Sequence, residues 1–200
     1  MRRPLDEIRA ISDKRGRIPV VYAGDIFDRW GASAELINFA IDYLPPGYAV
    51  YGQHDMPNHA VEEFDRTGYA TLCRAGILTN IAAGTPRQAN MNLTLHGFPW
   101  GVPLAPLLNP GQWMFHLLVA HRYIGTAGHT HVGADPTATV TAYAEVLGSY
   151  HAAHFGDNHS GFIALAGETP VANCGTLMRR RSDEGAYKPF IGLLRDDGTI

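Results

Sequence analysis

The sequence contains only two cysteines, Cys73 and Cys174, among 200 residues. That number excludes a framework of several disulfides, and free buried thiols are the expected state. No run of about 18 apolar residues occurs, which excludes a transmembrane helix. The arginines near the start of the sequence are not followed by the apolar stretch of a signal peptide. We therefore expect a cytoplasmic protein with no membrane partner.

An excess of positive charge is also missing, because 16 basic residues face 19 acidic ones and the net charge is −3. This balance argues against a dedicated nucleic-acid binder, although a nuclease could carry its positive charge on bound metals. Histidine and glycine, by contrast, are abundant, with 10 and 22 residues. Histidine is the commonest metal ligand. With 46% hydrophobic residues, the chain is expected to form one globular domain over residues 1–200.

The first fifty residues have the pattern helix, strand, helix, strand. Leu5 to Arg15 is amphipathic, and Ala32 to Tyr43 is a second helical segment. Ile18 to Ala23 and Tyr48 to Tyr51 are short apolar runs typical of buried strands. Further strands are predicted later in the chain, among them Pro189 to Leu194. Val61 to Ala75 is predicted to be helical.

Polar residues directly follow four of the predicted strands, where open α/β sheets place their ligands. A mixture of carboxylate, imidazole and amide groups suits the divalent ions Mn²⁺, Fe²⁺ and Zn²⁺. The four clusters are Asp25 with Asp28, Gln53-His54-Asp55, His121, and Asp157-Asn158-His159.

These clusters resemble the motifs of the calcineurin-like metallophosphoesterases. The matching segments are GDIFD (24–28), GQHD (52–55), a single His121 after an apolar strand, and GDNH (156–159). GFPWG (97–101) and the segment 173–189 are similar to a bacterial and phage branch that carries GQHD and GDNH variants. The resemblance implies an α/β fold, a layered β-sandwich flanked by helices.

The resemblance also implies a metal-dependent phosphoester hydrolase with a hydroxide activated by two metals. Manganese is the favoured ion, with iron(II) or zinc as alternatives. The substrate would be a phosphomonoester or phosphodiester, and the branch favours a nucleotide or nucleic acid. The oligomeric state is not indicated. The implied metal ligands are Asp25, Gln53, His121, Asp157 and His159.

Three further residues are implied to act beside the metals. His54 would be the general acid that protonates the leaving oxygen, and Asp55 would orient its ring. Asp28 would accept a hydrogen bond behind the ligands. Asp25 would bridge the two metals, and His159 would bind the first of them.

The family's first motif, D-x-H on an initial strand, is not found before the helix at Leu5. The fold is therefore expected without that strand, and the first metal with only two of its ligands. This leaves an alternative function open, a catalytically impaired, truncated relative that acts as a binding or scaffold protein. The strand at Ile18 to Ala23 would then lie at a sheet edge.

A second histidine-rich segment, GHTH (128–131), also spells the family's last motif. It follows His121 by only seven residues and comes after no apolar strand. GDNH is therefore predicted to be the true last motif, and His129 and His131 are expected to lie in a loop outside the metal shell.

Overall fold

A computed structural model describes residues 2–108, 114–130, 133–177, 188–195 and 198–200. His131 and most of the segment 173–189 lie outside the described residues. The elements alternate between short strands and short helices. They are α1 (Arg2–Lys14), β1 (Val20–Tyr22), α2 (Ala34–Tyr43), β2 (Gly47–Ala49), 3₁₀ turns at Pro57–His59 and Val61–Arg66, α3 (Gly68–Arg74), β3 (Leu78–Asn80), β4 (Arg87–Asn90), β5 (Leu93–Phe98), β6 (Phe115–His121), a 3₁₀ turn at Thr141–Tyr143, α4 (Ala144–Leu147), β7 (Ala152–Gly156), β8 (Phe162–Ala166) and β9 (Thr169–Asn173).

The first sheet is parallel and has the order β1-β2-β3, with β1 at one edge in the described part of the chain. Helices α1, α2 and α3 cover its outer face, where Leu5, Ala40 and Leu72 meet Ala49 and Leu78. Helix α2 begins at Ser33, whose side chain accepts a hydrogen bond from the Leu36 N–H.

The second sheet has six strands in the order β4-β5-β6-β7-β9-β8. Its centre is parallel, and antiparallel pairs close both ends. Strand β6 is buried along most of its length, as expected for a central strand covered on both faces. Its side chains alternate between the two faces, so Leu118 and Ala120 point to the outer layer with α4.

The two sheets pack face to face. Leu117 and Val119 of β6 point inward and meet Ala23, Val50 and Ile81 from the first sheet. Because the inward set on β6 has a period of two, His121 lies on the same face, toward the first sheet. The parallel strands of both sheets therefore bring their carboxyl ends to a common edge.

The layered α/β fold, a β-sandwich flanked by helices, is confirmed. Two local predictions are wrong. Pro189 to Leu194 forms no strand, since this apolar segment has no ladder with either sheet. The predicted helix over Val61 to Ala75 is divided at Thr67, which caps α3 by accepting from the Ala70 N–H. Within the described ranges, no helix combines the length and hydrophobicity needed to cross a bilayer.

A pair of histidines lies in the second sheet, away from the carboxyl ends of its strands. The Nε2 of His96 on β5 and the Nδ1 of His116 on β6 are 3.0 Å apart, and the Tyr150 ring packs edge-on against His96. Burial lowers the pKa of His96 to about 4, and the neighbouring His116 ring adds to the effect. Burial also lowers the pKa of His154 on β7.

We predict that His96 contributes a loss of stability as the pH drops from about 6.5 toward 4. In that interval the unfolded chain binds a proton at a histidine of ordinary pKa, about 6.5, whereas folded His96 does not. The raised pKa values of Asp55 and His121 act in the opposite direction, so the contribution of His96 is measured as a difference between two proteins. Urea unfolding at pH 7 and pH 5 gives the free energy of unfolding of the wild-type protein and of His96→Gln. The change from pH 7 to pH 5 should be more unfavourable for the wild-type protein than for His96→Gln, and an identical pH dependence in the two would contradict the prediction.

Candidate metal centre

Three of the predicted ligands converge at the common edge of the two sheets. Among the described residues, Asp25, His121 and Asp157 form a group whose ligand atoms all lie within 4.8 Å of one another. Asp25 follows β1, His121 ends β6 and Asp157 follows β7. The sandwich therefore builds the group from both sheets. The expectation that Asp25 and His121 would be neighbours agrees with the 3.3 Å between Asp25 Oδ2 and His121 Nε2.

The imidazole of His121 is fixed in one orientation by the first sheet. Its Nδ1 lies 2.5 Å from the carbonyl oxygen of Ala23, which can only accept, so Nδ1 carries a proton. Its Nε2 is buried and makes no hydrogen bond, although it faces the Asp25 carboxylate. When the ring is neutral, the lone pair of His121 Nε2 thus faces a lone pair of the Asp25 carboxylate. A proton or a metal ion between the two atoms stabilises this arrangement.

The charge of Asp25 affects the pKa of His121. Burial by itself lowers the pKa of His121, but the facing carboxylate of Asp25 outweighs burial, and the pKa is raised. A positive charge on the ring is therefore favoured beside Asp25.

Gln53 joins the group through its amide. Its Nε2 donates to Asp157 Oδ1 at 2.9 Å, while its Oε1 is buried and has no hydrogen-bond partner. Buried acceptors without donors are uncommon in folded proteins and call for an explanation such as an ion. Two carboxylates, one imidazole and one amide oxygen are a donor set that fits a divalent ion such as Mn²⁺.

Two motif glycines make this close approach possible. A Cβ at Gly24 would lie 2.2 Å from the Nδ1 of His121, and Gly24 itself has a φ of +91°. A Cβ at Gly52 would lie 2.0 Å from Asp25 Oδ1. Neither distance is compatible with a side chain, so these positions require glycine.

Both carboxylates of the candidate group have backbones in the left-handed region. Asp25 has a φ of +51° and Asp157 a φ of +80°. Such conformations cost a non-glycine residue about 1–3 kcal/mol and persist only where the surroundings impose them. The structure thus holds both carboxylates in orientations that the isolated chain disfavours.

Asp55 is fully buried and connects the two loops that carry Asp25 and Gln53. Its carboxylate accepts hydrogen bonds from the backbone N–H groups of Ile26, Phe27 and Gly52, at 2.9–3.3 Å. Burial raises its pKa to about 7, although these backbone hydrogen bonds oppose the shift. Asp55 therefore joins the two loops through their backbones, and its expected role in orienting the imidazole of His54 stays a prediction.

The remaining predicted residues lie farther out. The His54 side chain is 52% exposed, with Nε2 4.0 Å from Asp25 Oδ2, and its backbone N–H donates to Asp25 Oδ1. Asp28 is exposed, with Oδ2 3.9 Å from the guanidinium of Arg29. His159 is exposed and is not part of the described ligand group.

The described part of the GHTH segment, residues 128–130, packs against the GDNH loop. His129 Nδ1 lies 3.0 Å from the Ser160 hydroxyl, and the Asn158 amide donates to the carbonyl oxygens of His129 and Ile124. Asn173 in turn donates to the Asn158 carbonyl. His129 thus contacts the loop that presents Asp157 and lies outside the ligand group.

Arg122 is a residue that the sequence analysis missed. It lines a cleft of about 370 Å³ whose walls also include two carboxylates and two phenol rings, those of Asp135, Asp157, Tyr123 and Tyr143. Its Nη1 donates to the Tyr143 hydroxyl at 3.3 Å, and none of the ion pairs among the described residues includes Arg122. The only available signal was its position directly after His121.

Comparison with protein-family models gives no match, and comparison with curated proteins gives none either. Comparison with solved structures finds the protein TT1561 of Thermus thermophilus, which is 12% identical to this chain. The match covers 86% of this chain and 82% of that one, with a TM-score of 0.54. At this identity the similarity shows the fold alone, and the chain shares its layered α/β architecture with TT1561.

We predict that the protein takes up a divalent ion through Asp25 and not through His129. Asp25→Ala should abolish stoichiometric Mn²⁺ uptake, because it removes the carboxylate that faces His121. His129→Ala should retain it. Elemental analysis after gel filtration measures the stoichiometry, and circular dichroism checks folding. Loss of metal from the His129 variant alone would mean that GHTH and not GDNH supplies the ligands.

Proposed function

We propose that the protein is a metal-dependent phosphoester hydrolase. The observation that carries the proposal is the pair of buried acceptors without donors, Gln53 Oε1 and His121 Nε2, gathered with Asp25 and Asp157 at the carboxyl ends of the strands. The motif resemblance and the layered fold support the same chemistry.

The chain would hold the ion with Asp25, Gln53, His121 and Asp157. When bound, a divalent ion supplies positive charge that polarises a phosphoryl oxygen and lowers the pKa of water. Mn²⁺ is the proposed ion. These four residues would serve one ion, and His159 is proposed to bind the other ion, with Asp25 as the bridge. Asp28 is proposed to accept a hydrogen bond behind the ligands.

His54 is proposed as the general acid. Its ring is exposed beside Asp25, and the hydrogen bond from its backbone N–H to Asp25 Oδ1 fixes its loop against the metal centre. An imidazole there can give the proton on Nε2 to the leaving oxygen as the P–O bond breaks.

Arg122 is proposed to bind the phosphoryl group of the substrate. Its guanidinium lines the same cleft as Asp157, and the neutral hydroxyl of Tyr143 holds it without cancelling its charge. A guanidinium can bind two phosphoryl oxygens at once. The cleft thus pairs a cationic side chain with a carboxylate proposed as a ligand.

Hydrolysis of p-nitrophenyl phosphate and bis-p-nitrophenyl phosphate tests the function. We expect turnover with Mn²⁺, none after EDTA, and recovery when Mn²⁺ is restored. Stoichiometric metal binding without turnover would instead support the alternative, a binding or scaffold protein. A cytoplasmic location remains part of the proposal.

We predict that His54→Ala lowers kcat by about 10²–10⁴-fold for an alkyl phosphoester, whose leaving oxygen needs a proton. The loss should be smaller for p-nitrophenyl phosphate, because its leaving group departs without one. Steady-state kinetics on both substrates provide the comparison. Equal losses on the two substrates would assign His54 to binding rather than to proton transfer.

We predict that Arg122→Gln weakens competitive inhibition by inorganic phosphate by about 10–100-fold, because it removes a charge-assisted hydrogen bond. Arg122→Lys should recover part of the loss. Arg87→Gln, on the exposed edge strand β4, is the charge-matched control. Metal content and Tm should stay unchanged in all three variants. An unaltered inhibition constant in Arg122→Gln would refute this role.

A further inference from the structure

A second cavity, of about 280 Å³, opens beside the loop that carries Gln53 and His54. Its walls include the rings of Tyr51, His59 and Trp100, with Met56 also lining it and Glu62 contributing the carboxylate. The functions assigned above to the metal centre and to the Arg122 cleft do not use it. We call it the aromatic cavity.

The rings of the aromatic cavity are held in place by the backbone. The Trp100 N–H donates to the Tyr51 carbonyl at 3.1 Å, which ties the segment after β5 to the end of β2. The rings of His59 and Trp100 are 5.0 Å apart and inclined by 56°. Tyr51 packs edge-on against Phe64 and Tyr69 on its other side. The cavity is therefore preformed.

His59 is held there in an unfavourable backbone conformation. Its φ is +60°, and that of Asn58 before it is +49°. Two consecutive non-glycine residues in the left-handed region are uncommon, and strain of this kind concentrates at ligand-binding sites. The ring of His59 is nevertheless exposed, so core packing does not account for the conformation.

The aromatic cavity is close to the metal centre. Tyr51 directly precedes Gly52, and Met56 directly follows Asp55, so the cavity residues flank the loop of residues 52–55. Three residues of chain span at most about 11 Å, which bounds the distance from Tyr51 to His54. Trp100 follows β5, whose carboxyl end lies at the same edge as that of β6.

The side chains that line the aromatic cavity indicate which kind of ligand it can bind. The side chains are rings, aliphatic groups and a single carboxylate, and neither Lys nor Arg lines the cavity. Glu62 lies near Tyr51, since its charge contributes to the raised pKa of that phenol after burial. Such a site suits an uncharged planar ring that carries N–H donors, and its volume accommodates one ring system.

We propose that the aromatic cavity binds the nucleobase of a nucleotide substrate, stacked against Trp100 and His59. The proposal rests on the proposed function, because it makes the cavity a subsite of the phosphoester hydrolase. Base stacking on aromatic side chains tolerates different bases, since every base has a π face. The amino or imino group of the base donates to Glu62.

The experiment compares uridine 5′-phosphate with ribose 5-phosphate, two 5-phosphates of ribose of which only the first carries a base. Calorimetry with EDTA measures binding without turnover, and phosphate release with Mn²⁺ measures hydrolysis. The wild-type protein should bind the nucleotide about tenfold more tightly. Trp100→Ala should remove this preference, and Trp100→Phe should keep most of it. Trp30→Ala, an exposed tryptophan outside both cavities, should leave it unchanged.

Equal affinity of the wild-type protein for the two phosphates would overturn the proposal, and so would a preference that survives in Trp100→Ala. Hydrolysis of both compounds with equal kcat/KM would leave the proposed function standing and refute the subsite. A nucleotide preference that depends on Trp100, without hydrolysis or metal uptake, would support the subsite and refute the proposed function.

Discussion

The hydrogen bond from His121 Nδ1 to the carbonyl oxygen of Ala23 joins the two sheets at the point where their strands end. It determines which ring nitrogen is protonated, and it aims the other nitrogen at Asp25. The bond is possible because the inward residues of β6 alternate, so that His121 continues the apolar face of Leu117 and Val119. The core between the sheets therefore determines the position of the metal centre.

The close contact between the loops after β1 and β2 is the second constraint on the candidate site. The loops after β1 and β2 are pressed together so tightly that Gly24 and Gly52 leave no room for a side chain. Asp55 stabilises this contact, because its carboxylate accepts hydrogen bonds from three backbone N–H groups that would otherwise be buried without partners. Its burial is costly for a carboxylate, and the raised pKa reflects that cost.

Much of this arrangement could be predicted because apolar runs and the polar residues after them are local signals. The runs before Asp25, Gln53 and Asp157 indicated both the strands and the edge where the ligands meet. The contacts of Asp55 could not be predicted, because Ile26 and Phe27 come near it only in the folded chain. Strand β4, with the polar sequence RQAN, has no apolar run. Arg122 lies in a cleft that is completed by residues distant in the sequence, among them Tyr143 and Asp157.

The loop of residues 52–55 lies between the candidate metal centre and the aromatic cavity. One end supplies Gln53 to the metal centre, and both ends border the aromatic cavity. If the two proposed sites both bind their ligands, a ligand in the cavity that shifts this loop would change the dissociation constant of the metal ion. Thermodynamic linkage would then require the ion to change the affinity for that ligand by the same factor. A loop anchored by one buried carboxylate would thus make the two proposed sites reciprocal in their energetics, whichever is filled first.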